Sequence, residues 1–298
     1  MNEGILKRKE FNILEYIFEN KKVTQREVAQ NMGISVGSTN KIISDLTERG
    51  LIEDGEITTS GINALEPYKV KRAVFIAAGF GSRLVPITLN TPKPLVRVNG
   101  KRIIDGLLDA VLAVGIEEIV IVRGYLAEQF DQLLYKYPMI KFIENPLFNE
   151  ANNISSAVCA RYLLSNAYVF EADLLISNPN IIKKYQYTSN FLGIKIDRSD
   201  DWCFSVRNGI ITEQKIGGMD CHQMIGISYW DEADGKKLAE HIKEAYEMPG
   251  GKELYWDQIP LKVFASEYKV EVRECKKEDI VEIDTFRELK MIDKTYDI

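Results

Sequence analysis

The sequence predicts an α/β fold with a mixed, mostly parallel sheet, preceded by a small helical domain. From residue 72 onward, short runs of β-branched and aromatic residues alternate with stretches of helical periodicity, which is the pattern of a doubly wound sheet. The first of those runs, residues 73–76, ends abruptly in a glycine-rich turn. Before it, three shorter helical patterns and a candidate hairpin form a separate region.

Length and composition bound the classes of function. At 298 residues with 45% hydrophobic residues, the chain can bury a substantial core. It has no run of eighteen apolar residues and no apolar stretch at its N-terminus, so we expect a cytoplasmic protein without a membrane partner. Four scattered cysteines and two histidines support neither a disulfide framework nor a zinc site. The net charge of −6 argues against an electrostatic grip of the whole protein on nucleic acid.

The N-terminal region has the element order of a winged helix-turn-helix. Apolar residues at helical spacing over 7–20, a capping box at residues 24–27 and a serine cap at Ser35 predict three helices, the third over about 36–49. Asp54-Gly55 then joins two short strands as a hairpin. The region resembles the small winged-helix domains of bacterial regulators, in which the third helix enters a DNA major groove.

The charge of this region bears on its partner. Residues 1–69 hold nine Lys and Arg against eleven Asp and Glu, and the third helix offers Lys41 and Arg49 against Asp45 and Glu48. DNA-binding surfaces need an excess of cations to displace counterions. We therefore favour dimerisation, as in a homodimer, or docking of a protein partner over DNA binding.

The second domain starts after Pro67, which ends the last helical turn of the first. We therefore predict a winged-helix domain over residues 1–67 and a catalytic domain over residues 68–298. Within the latter, strands are predicted at 72–78, 118–122, 141–144 and 167–170, with helices at 104–114, 126–136 and 154–164. Ligands of such sheets bind beyond the carboxyl ends of the strands.

The stretch from Ala77 to Ile104 predicts a nucleotide site. Gly79 and Gly81 let backbone N–H groups approach anionic oxygens, and Arg83 and Lys93 supply the positive charge that a triphosphate needs. The pattern lacks the third glycine of the dinucleotide fingerprint, and it is not G-x-x-x-x-G-K-[ST].

The ordered motifs of this stretch resemble the nucleotidyltransferase family that activates sugar phosphates and related alcohol phosphates. The matching residues are Ala77-Ala78-Gly79, Gly81, Arg83-Leu84, Pro86, Thr88, Pro92-Lys93-Pro94-Leu95, Val98, Gly100 and Ile103. The resemblance implies a Rossmann-like nucleotide-diphospho-sugar transferase fold in which Arg83 and Lys93 are catalytic. The nucleotide would be bound by Ala78, Gly79, Gly81 and Ser82.

Two acidic residues that follow predicted strands are candidate ligands of Mg²⁺. Asp173 follows the strand at 167–170, and Mg²⁺ there would neutralise charge on the α-phosphate and the leaving pyrophosphate. The family resemblance implies a second aspartate, which Asp284 matches, although a helix N-cap explains Asp284 equally well locally. Asn152 and Asn153 would contact the base or ribose, and a helix cap explains Asn152 equally well.

All three tryptophans lie in the second half of the chain, each beside acids. The strings are Asp200-Asp201-Trp202, Tyr229-Trp230-Asp231 and Tyr255-Trp256-Asp257. Aromatic faces with carboxylates suit an organic cation better than a sugar, while ordinary packing explains the rings equally well. The candidate head-group residues are Trp202, Tyr229, Tyr255, Trp256, Asp257 and Glu282.

Three later segments narrow the resemblance. Gly226 to Trp230, Leu254 to Pro260 and Asp279 to Asp284 are similar to bacterial CTP:phosphocholine cytidylyltransferases, over about residues 70–298. This resemblance implies Mg²⁺-dependent formation of CDP-choline and pyrophosphate from CTP and phosphocholine, with the substrate phosphate as nucleophile. Phosphoethanolamine, 2-aminoethylphosphonate or a sugar 1-phosphate as substrate, and a nucleotide-sensing transcriptional regulator, are the alternatives.

Overall fold

The structure, a computed structural model, describes residues 6–297 and divides into two compact units. The first unit comprises the chain up to Lys69 together with Tyr185–Tyr187, and the second comprises Val70–Lys184 and the chain from Thr188 onward. Residues 1–5 of the predicted winged-helix domain lie outside the described residues. Within residues 6–297, no helix combines the length and the apolar character needed to span a membrane.

The first unit is a winged helix-turn-helix. Its elements are α1 (Arg8–Asn20), α2 (Gln25–Met32), α3 (Val36–Glu48), β1 (Ile52–Glu53), β2 (Glu56–Ile57) and α4 (Thr59–Leu65). The predicted capping box opens α2, since the Thr24 hydroxyl accepts from the backbone N–H of Glu27 and the Glu27 carboxylate accepts from that of Thr24. Gly33 ends α2 at φ 62°, a conformation that favours glycine. The three predicted helices and the hairpin are confirmed.

The segment after α4 belongs to the core of the first unit. Glu66–Tyr68 forms a short 3₁₀ turn, and the rings of Tyr68 and Tyr187 stack with centroids 5.4 Å apart. Phe11 packs against both rings, and the Tyr68 hydroxyl donates to the carbonyl of Leu6. A segment from far along the sequence therefore completes the core of the winged helix.

The second unit contains the strands of the α/β fold. They are β3 (Arg72–Ile76), β4 (Arg97–Val98), β5 (Lys101–Arg102), β6 (Glu118–Arg123), β7 (Lys141–Glu144), β8 (Ala167–Glu171), β9 (Leu174–Ile176), β10 (Asn190–Arg207), β11 (Ile210–Trp230), β12 (Glu271–Cys275) and β13 (Ile280–Glu282). The helices are α5 (Ile103–Ala113), α6 (Ile154–Ala160), α7 (Glu232–Glu247) and α8 (Phe286–Ile292).

Seven of the described strands form one mixed sheet in the order β10-β12-β11-β8-β3-β6-β7. Strands β8, β3, β6 and β7 are parallel, β10 and β12 are parallel, and β11 runs antiparallel to β8. The central strand β3 is buried on both faces, with Phe75 stacked on Phe170 on one face and Val74 in the apolar cluster on the other. The predicted Rossmann-like mixed sheet is confirmed, and the carboxyl ends of β3 and β8 lie side by side.

Strands β10 and β11 form a long ribbon that folds back on itself. Cys203 pairs with Lys215 across the ribbon and also with Gln223, and the register slips between Ser199 and Trp202. The distal end of the ribbon reaches β12, where the Ile211 N–H donates to the Val270 carbonyl. The sequence predicted no elements for this irregular ribbon or for β12.

Two predicted helices are shorter or tighter than expected. The segment predicted as a helix at 126–136 forms a 3₁₀ helix over Ala127–Tyr135, which follows Leu126 at φ 49° without a side-chain cap. Without a cap for the first amides, the chain makes i to i+3 bonds instead. Helix α6 ends at Ala160 and continues as a 3₁₀ turn over Arg161–Leu163.

Candidate active site

A cavity of about 590 Å³ opens in the second unit at the carboxyl ends of β3 and β8. It brings together most of the residues that the sequence predicted for the site. These are Gly79, Gly81, Ser82, Arg83, Lys93, Asn153, Asp173, Trp202, Tyr255, Asp257, Glu282 and Asp284.

The glycine-rich turn leaves β3 at the floor of this cavity. Gly81 has φ 61°, and a Cβ there would lie 3.0 Å from the Cβ of Lys93 and 3.1 Å from the Cγ2 of Thr88. Only glycine therefore fits this position without strain. A Cβ on Gly79 would meet no heavy atom within 4 Å, so this part of the turn is open for a close approach of phosphate oxygens.

A small antiparallel pair brings the two aspartates together. Strand β9, which follows Asp173, pairs with β13, and the backbone N–H of Ile283 donates to the carbonyl of Asp173. Asp284 is thereby placed beside Asp173 although the two are far apart in sequence. The backbone pairing therefore sets the position of Asp284, which lies two residues beyond the end of β13.

Two cations lie between these carboxylates. The ammonium of Lys93 donates to Asp173 at 2.7 Å and to Asp284 at 3.1 Å, and the guanidinium of Arg83 donates to Asp284 at 2.6 Å. Burial alone would lower the pKa of Lys93, but the carboxylates of Asp173 and Asp284 outweigh it and raise that pKa above its usual value. Lys93 therefore carries a full charge at neutral pH, and Arg83, whose side chain is 65% exposed, faces solvent at the mouth.

Negative charge is crowded at the end of β8. Carboxylate oxygens of Glu171, Asp173 and Glu282 lie within 4.8 Å of one another. Burial first, and then repulsion from Asp173 and Glu171, raises the pKa of Glu282 to about 10. The Oδ1 atom of Asp173 is buried without a hydrogen-bond partner among residues 6–297. An unpartnered carboxylate oxygen in a group of hard oxygen donors fits a divalent cation such as Mg²⁺.

The opposite wall of the cavity is aromatic and acidic. The rings of Trp202 and Tyr255 are roughly perpendicular, with centroids 5.8 Å apart. Asp257 lies beside them and is only 3% exposed. Burial raises the pKa of Asp257 to about 6, although a hydrogen bond from the Gln214 amide opposes this rise. Asn153 supports the same segment, because its Oδ1 accepts from the backbone N–H of Trp256 at 2.9 Å.

Three residues predicted for the site lie elsewhere. The Trp256 ring is 1% exposed and packs between Phe191 and Trp230, because the side chain between Tyr255 and Asp257 turns into the core. Tyr229 is equally buried in β11, and its hydroxyl donates to Asn166. Ala78 is 2% exposed, and its carbonyl accepts from the backbone N–H of Tyr125 instead of facing the cavity.

Glu171 and Gln214 are among the residues of the site that were not predicted. Glu171 ends an apolar strand two residues before Asp173, which is a local signal that could have found it. The adjacent Gly226 is required there, since a Cβ on it would lie 2.6 Å from the Glu171 carboxylate. Gln214 carries no local signal, because its contact with Asp257 arises only when the ribbon folds back.

Comparison with known proteins places both units in families. Residues 72–200 match the model of the nucleotidyl transferase family, and residues 6–53 match a winged helix-turn-helix DNA-binding family. The chain is 36% identical to 2-aminoethylphosphonate cytidylyltransferase of Lancefieldella rimae over 75% of this chain and 92% of that protein. It is 31% identical to choline-phosphate cytidylyltransferase of Streptococcus pneumoniae over 75% of this chain and 97% of that protein.

Solved structures agree with this grouping. CTP:phosphocholine cytidylyltransferase from Streptococcus pneumoniae has a TM-score of 0.70 at 30% identity, covering 76% of this chain and 99% of that one. The inositol-1-phosphate CTP transferase from T. maritima has a TM-score of 0.60 at 16% identity, covering 77% of this chain and 94% of that one, and shares the fold. From these relatives and the site geometry, the chain belongs to the cytidylyltransferases of the nucleotidyl transferase family, with a winged helix-turn-helix unit on its N-terminal side.

Proposed function

We propose that the protein is a Mg²⁺-dependent cytidylyltransferase that forms CDP-choline and pyrophosphate from CTP and phosphocholine. The observation that carries the proposal is the division of the cavity into two walls. Arg83 and Lys93 line the cavity together with the glycine-rich turn, and Trp202 and Tyr255 line it together with buried acidic residues. The first wall suits a triphosphate and the second an organic cation.

The reaction is an in-line displacement at the α-phosphorus of CTP. A phosphate oxygen of phosphocholine forms the new P–O bond, and the bond from the α-phosphorus to the bridging oxygen of the β-phosphate breaks as pyrophosphate leaves. Lys93 and Arg83 stabilise the charge that develops on the phosphoryl oxygens. The turn holds the nucleotide against the acceptor, so catalysis consists of positioning and electrostatics. Asp173 and Asp284 would hold Mg²⁺, which would supply neutralisation of charge on the α-phosphate and pyrophosphate.

The head group would lie in the corner between Trp202 and Tyr255. A trimethylammonium has no N–H to donate, so its recognition depends on aromatic faces, worth about 0.5 to 2 kcal/mol per ring, and on nearby negative charge. Asp257 supplies that charge beside the two rings. Because Trp256 lies in the core, it has no part in this proposal.

A second substrate, 2-aminoethylphosphonate, is favoured by the surplus of acid. Glu171, Asp201, Asp257 and Glu282 all line the cavity, and each offers oxygen acceptors that a quaternary ammonium cannot use. A primary ammonium donates directed, charge-assisted hydrogen bonds to carboxylates. The relative from Lancefieldella rimae, named for this substrate, supports the same alternative.

The experiment that tests the function is a substrate panel with pyrophosphate detection. CTP, ATP, GTP and UTP would each be paired with phosphocholine, phosphoethanolamine, 2-aminoethylphosphonate and glucose 1-phosphate. The proposal expects turnover with CTP and phosphocholine to exceed all other pairs. Preference for a primary amine selects the second candidate, and preference for glucose 1-phosphate or no turnover at all contradicts both.

Variants of Trp202 and Asp257 test the head-group site. Trp202→Ala is expected to raise the KM for phosphocholine about two- to thirtyfold with little change for CTP, because one cation–π contact is lost. Asp257→Asn is expected to cost more than Trp202→Ala if the preferred substrate is a primary amine. Steady-state kinetics of both variants with the three amine substrates decide the matter. Unchanged phosphocholine kinetics in Trp202→Ala would make the tryptophan a packing residue.

Removal of the winged helix is expected to leave turnover intact but to lower solubility. Every residue that lines the cavity belongs to the second unit, so a chain that starts at Val70 should keep its kcat. Tyr185, which is 2% exposed, and the half-buried Tyr187 would lose the apolar residues that cover them. Restored solubility after Tyr185→Ser and Tyr187→Ser would support this reason. A soluble but inactive shortened chain would show that the first unit contributes to catalysis.

We also propose that the first unit serves in dimerisation or docking of a protein partner instead of DNA binding. The wing carries Glu53, Asp54 and Glu56, which would repel phosphates at the place where such wings approach DNA. Electrophoretic mobility shifts with the full chain at several salt concentrations test this. Binding that weakens steeply with salt would identify phosphate contacts and contradict the docking role.

A further inference from the structure

Gln214 makes a buried contact with Asp257, a residue of the aromatic and acidic wall, although Gln214 does not itself line the cavity. Its Nε2 donates a short hydrogen bond to Oδ2 of Asp257. Both side chains are buried, at 6% and 3% exposure, and the sulfur of the cavity residue Met224 lies 3.4 Å from the same Nε2. The N–H groups of the Gln214 amide are therefore directed at the Asp257 carboxylate and at the Met224 sulfur.

The fold-back of the ribbon creates the contact. Gln214, near the hairpin end of the ribbon, pairs with Phe204. Phe204 also pairs with His222, which lies further along β11. The hairpin end of the ribbon therefore folds back onto the rest of the ribbon, and Gln214 contacts Asp257, 43 positions further along the chain. Its Oε1 is buried without a partner among the residues that the structure describes, so the donor end is the part of the amide that is used.

A neutral donor has a specific chemical advantage here. A hydrogen bond stabilises the ionised form of a buried carboxylate, as a cation would, but it leaves the negative charge uncompensated. A lysine or arginine at position 214 would form an ion pair with Asp257 and compete with a cationic head group. The other titratable groups that share the cavity are Glu171, Asp201, Tyr255, Glu282, Arg83 and the cluster of Asp173, Asp284 and Lys93.

We propose that Gln214 is a positioning residue for head-group recognition. It holds Asp257 ionised and oriented for the cation of the substrate through the hydrogen bond to Oδ2. This inference rests on the proposed function, in which Asp257 faces the head group. The pKa of Asp257, which burial raises to about 6 against the opposing effect of Gln214, agrees with an ionised carboxylate at neutral pH.

The test compares Gln214→Leu, Asp257→Asn and the double variant in the full chain. Without the donor, the ionised fraction of Asp257 falls at pH 7, so Gln214→Leu should raise the KM for the preferred amine substrate about two- to tenfold, with the KM for CTP unchanged. The defect should shrink between pH 7 and pH 9, where Asp257 ionises without help. In the double variant the two effects should not add, because Gln214 acts through Asp257.

Controls separate this role from a structural one. Gln223 lies on the same ribbon and is half-buried, so Gln223→Leu should leave the KM for the amine substrate and the KM for CTP unchanged. If Gln214→Leu does not fold, Gln214→Met serves in its place, since it keeps the side-chain volume and also removes the donor. A pH-independent defect, or an equal rise in the KM for CTP, would overturn the inference. Unchanged amine KM in Asp257→Asn would overturn the head-group site as well, whereas an effect of Asp257→Asn without one of Gln214→Leu overturns the role of Gln214 alone.

Discussion

Replacement of Asp173 or Asp284 by asparagine is expected to lower kcat at least about a hundredfold while the fold is retained. A metal ion contributes several kcal/mol to the stabilisation of the transition state, and about 1.4 kcal/mol corresponds to each factor of ten in rate. Oδ1 of Asp173 is the described site oxygen that lacks a partner, so its loss should abolish most binding of the ion. Turnover measured against Mg²⁺ concentration, with thermal melting as the check on folding, gives both quantities.

The fold should survive because the substitution keeps the shape of the side chain and relieves repulsion. Lys93 retains one aspartate in either variant, and neutral asparagine removes one charge from a crowded acidic group. Asp131→Asn is the matched control, since Asp131 is 61% exposed and pairs with Arg123 away from the cavity. Turnover at the wild-type level in Asp173→Asn or Asp284→Asn would remove that residue from the metal site. A second measurement is the rise of Tm with added Mg²⁺, which both variants should lose.

The parallel part of the sheet was predictable because each strand is a short, continuous apolar run. The predicted strand at 118–122 appears as β6, whose residues 119–122 are buried, and the one at 141–144 appears as β7, whose Phe142 and Ile143 are partly buried against the two apolar clusters. The ribbon of β10 and β11 was not predictable in this way. Its register slips several times, and Cys203 and Phe204 each pair with two different positions of β11. The side chains therefore do not alternate regularly along the sequence.

The site follows the same division between local and long-range signals. The glycine-rich turn is local, and its motifs predicted the residues that line one wall of the cavity. Which of Tyr255 and Trp256 faces the cavity depends on how that loop packs, and adjacent aromatic residues look equivalent in sequence. The inclusion of Tyr185–Tyr187 in the winged-helix unit is a long-range contact between aromatic rings, which no local pattern reports.

Lys93→Met is expected to lower kcat about 10²- to 10³-fold, the usual cost of removing one preorganised group that stabilises transition-state charge. Lys93 is suited to this role because its ammonium is held at 2.7 Å from Asp173 and is buried beside the turn. Lys93→Arg keeps the charge in a larger group and should give an intermediate kcat. Lys101→Met is the control, since Lys101 is exposed in β5 and away from the cavity.

The same variant is expected to lose stability in a pH-dependent manner. The carboxylates raise the pKa of Lys93 above its usual value, so its contribution is fully present below a pH of about 10.4 and would be lost only above that. Lys93→Met lacks this contribution throughout the neutral range and leaves Asp173 and Asp284 without the cation that pairs with both of them. Its Tm deficit relative to wild type should therefore be the same at pH 7 and pH 9 and should shrink above a pH of about 10.4, as wild-type Lys93 begins to lose its proton. A kcat near that of wild type, or a Tm deficit independent of pH, would show that Lys93 is a packing residue in this cavity.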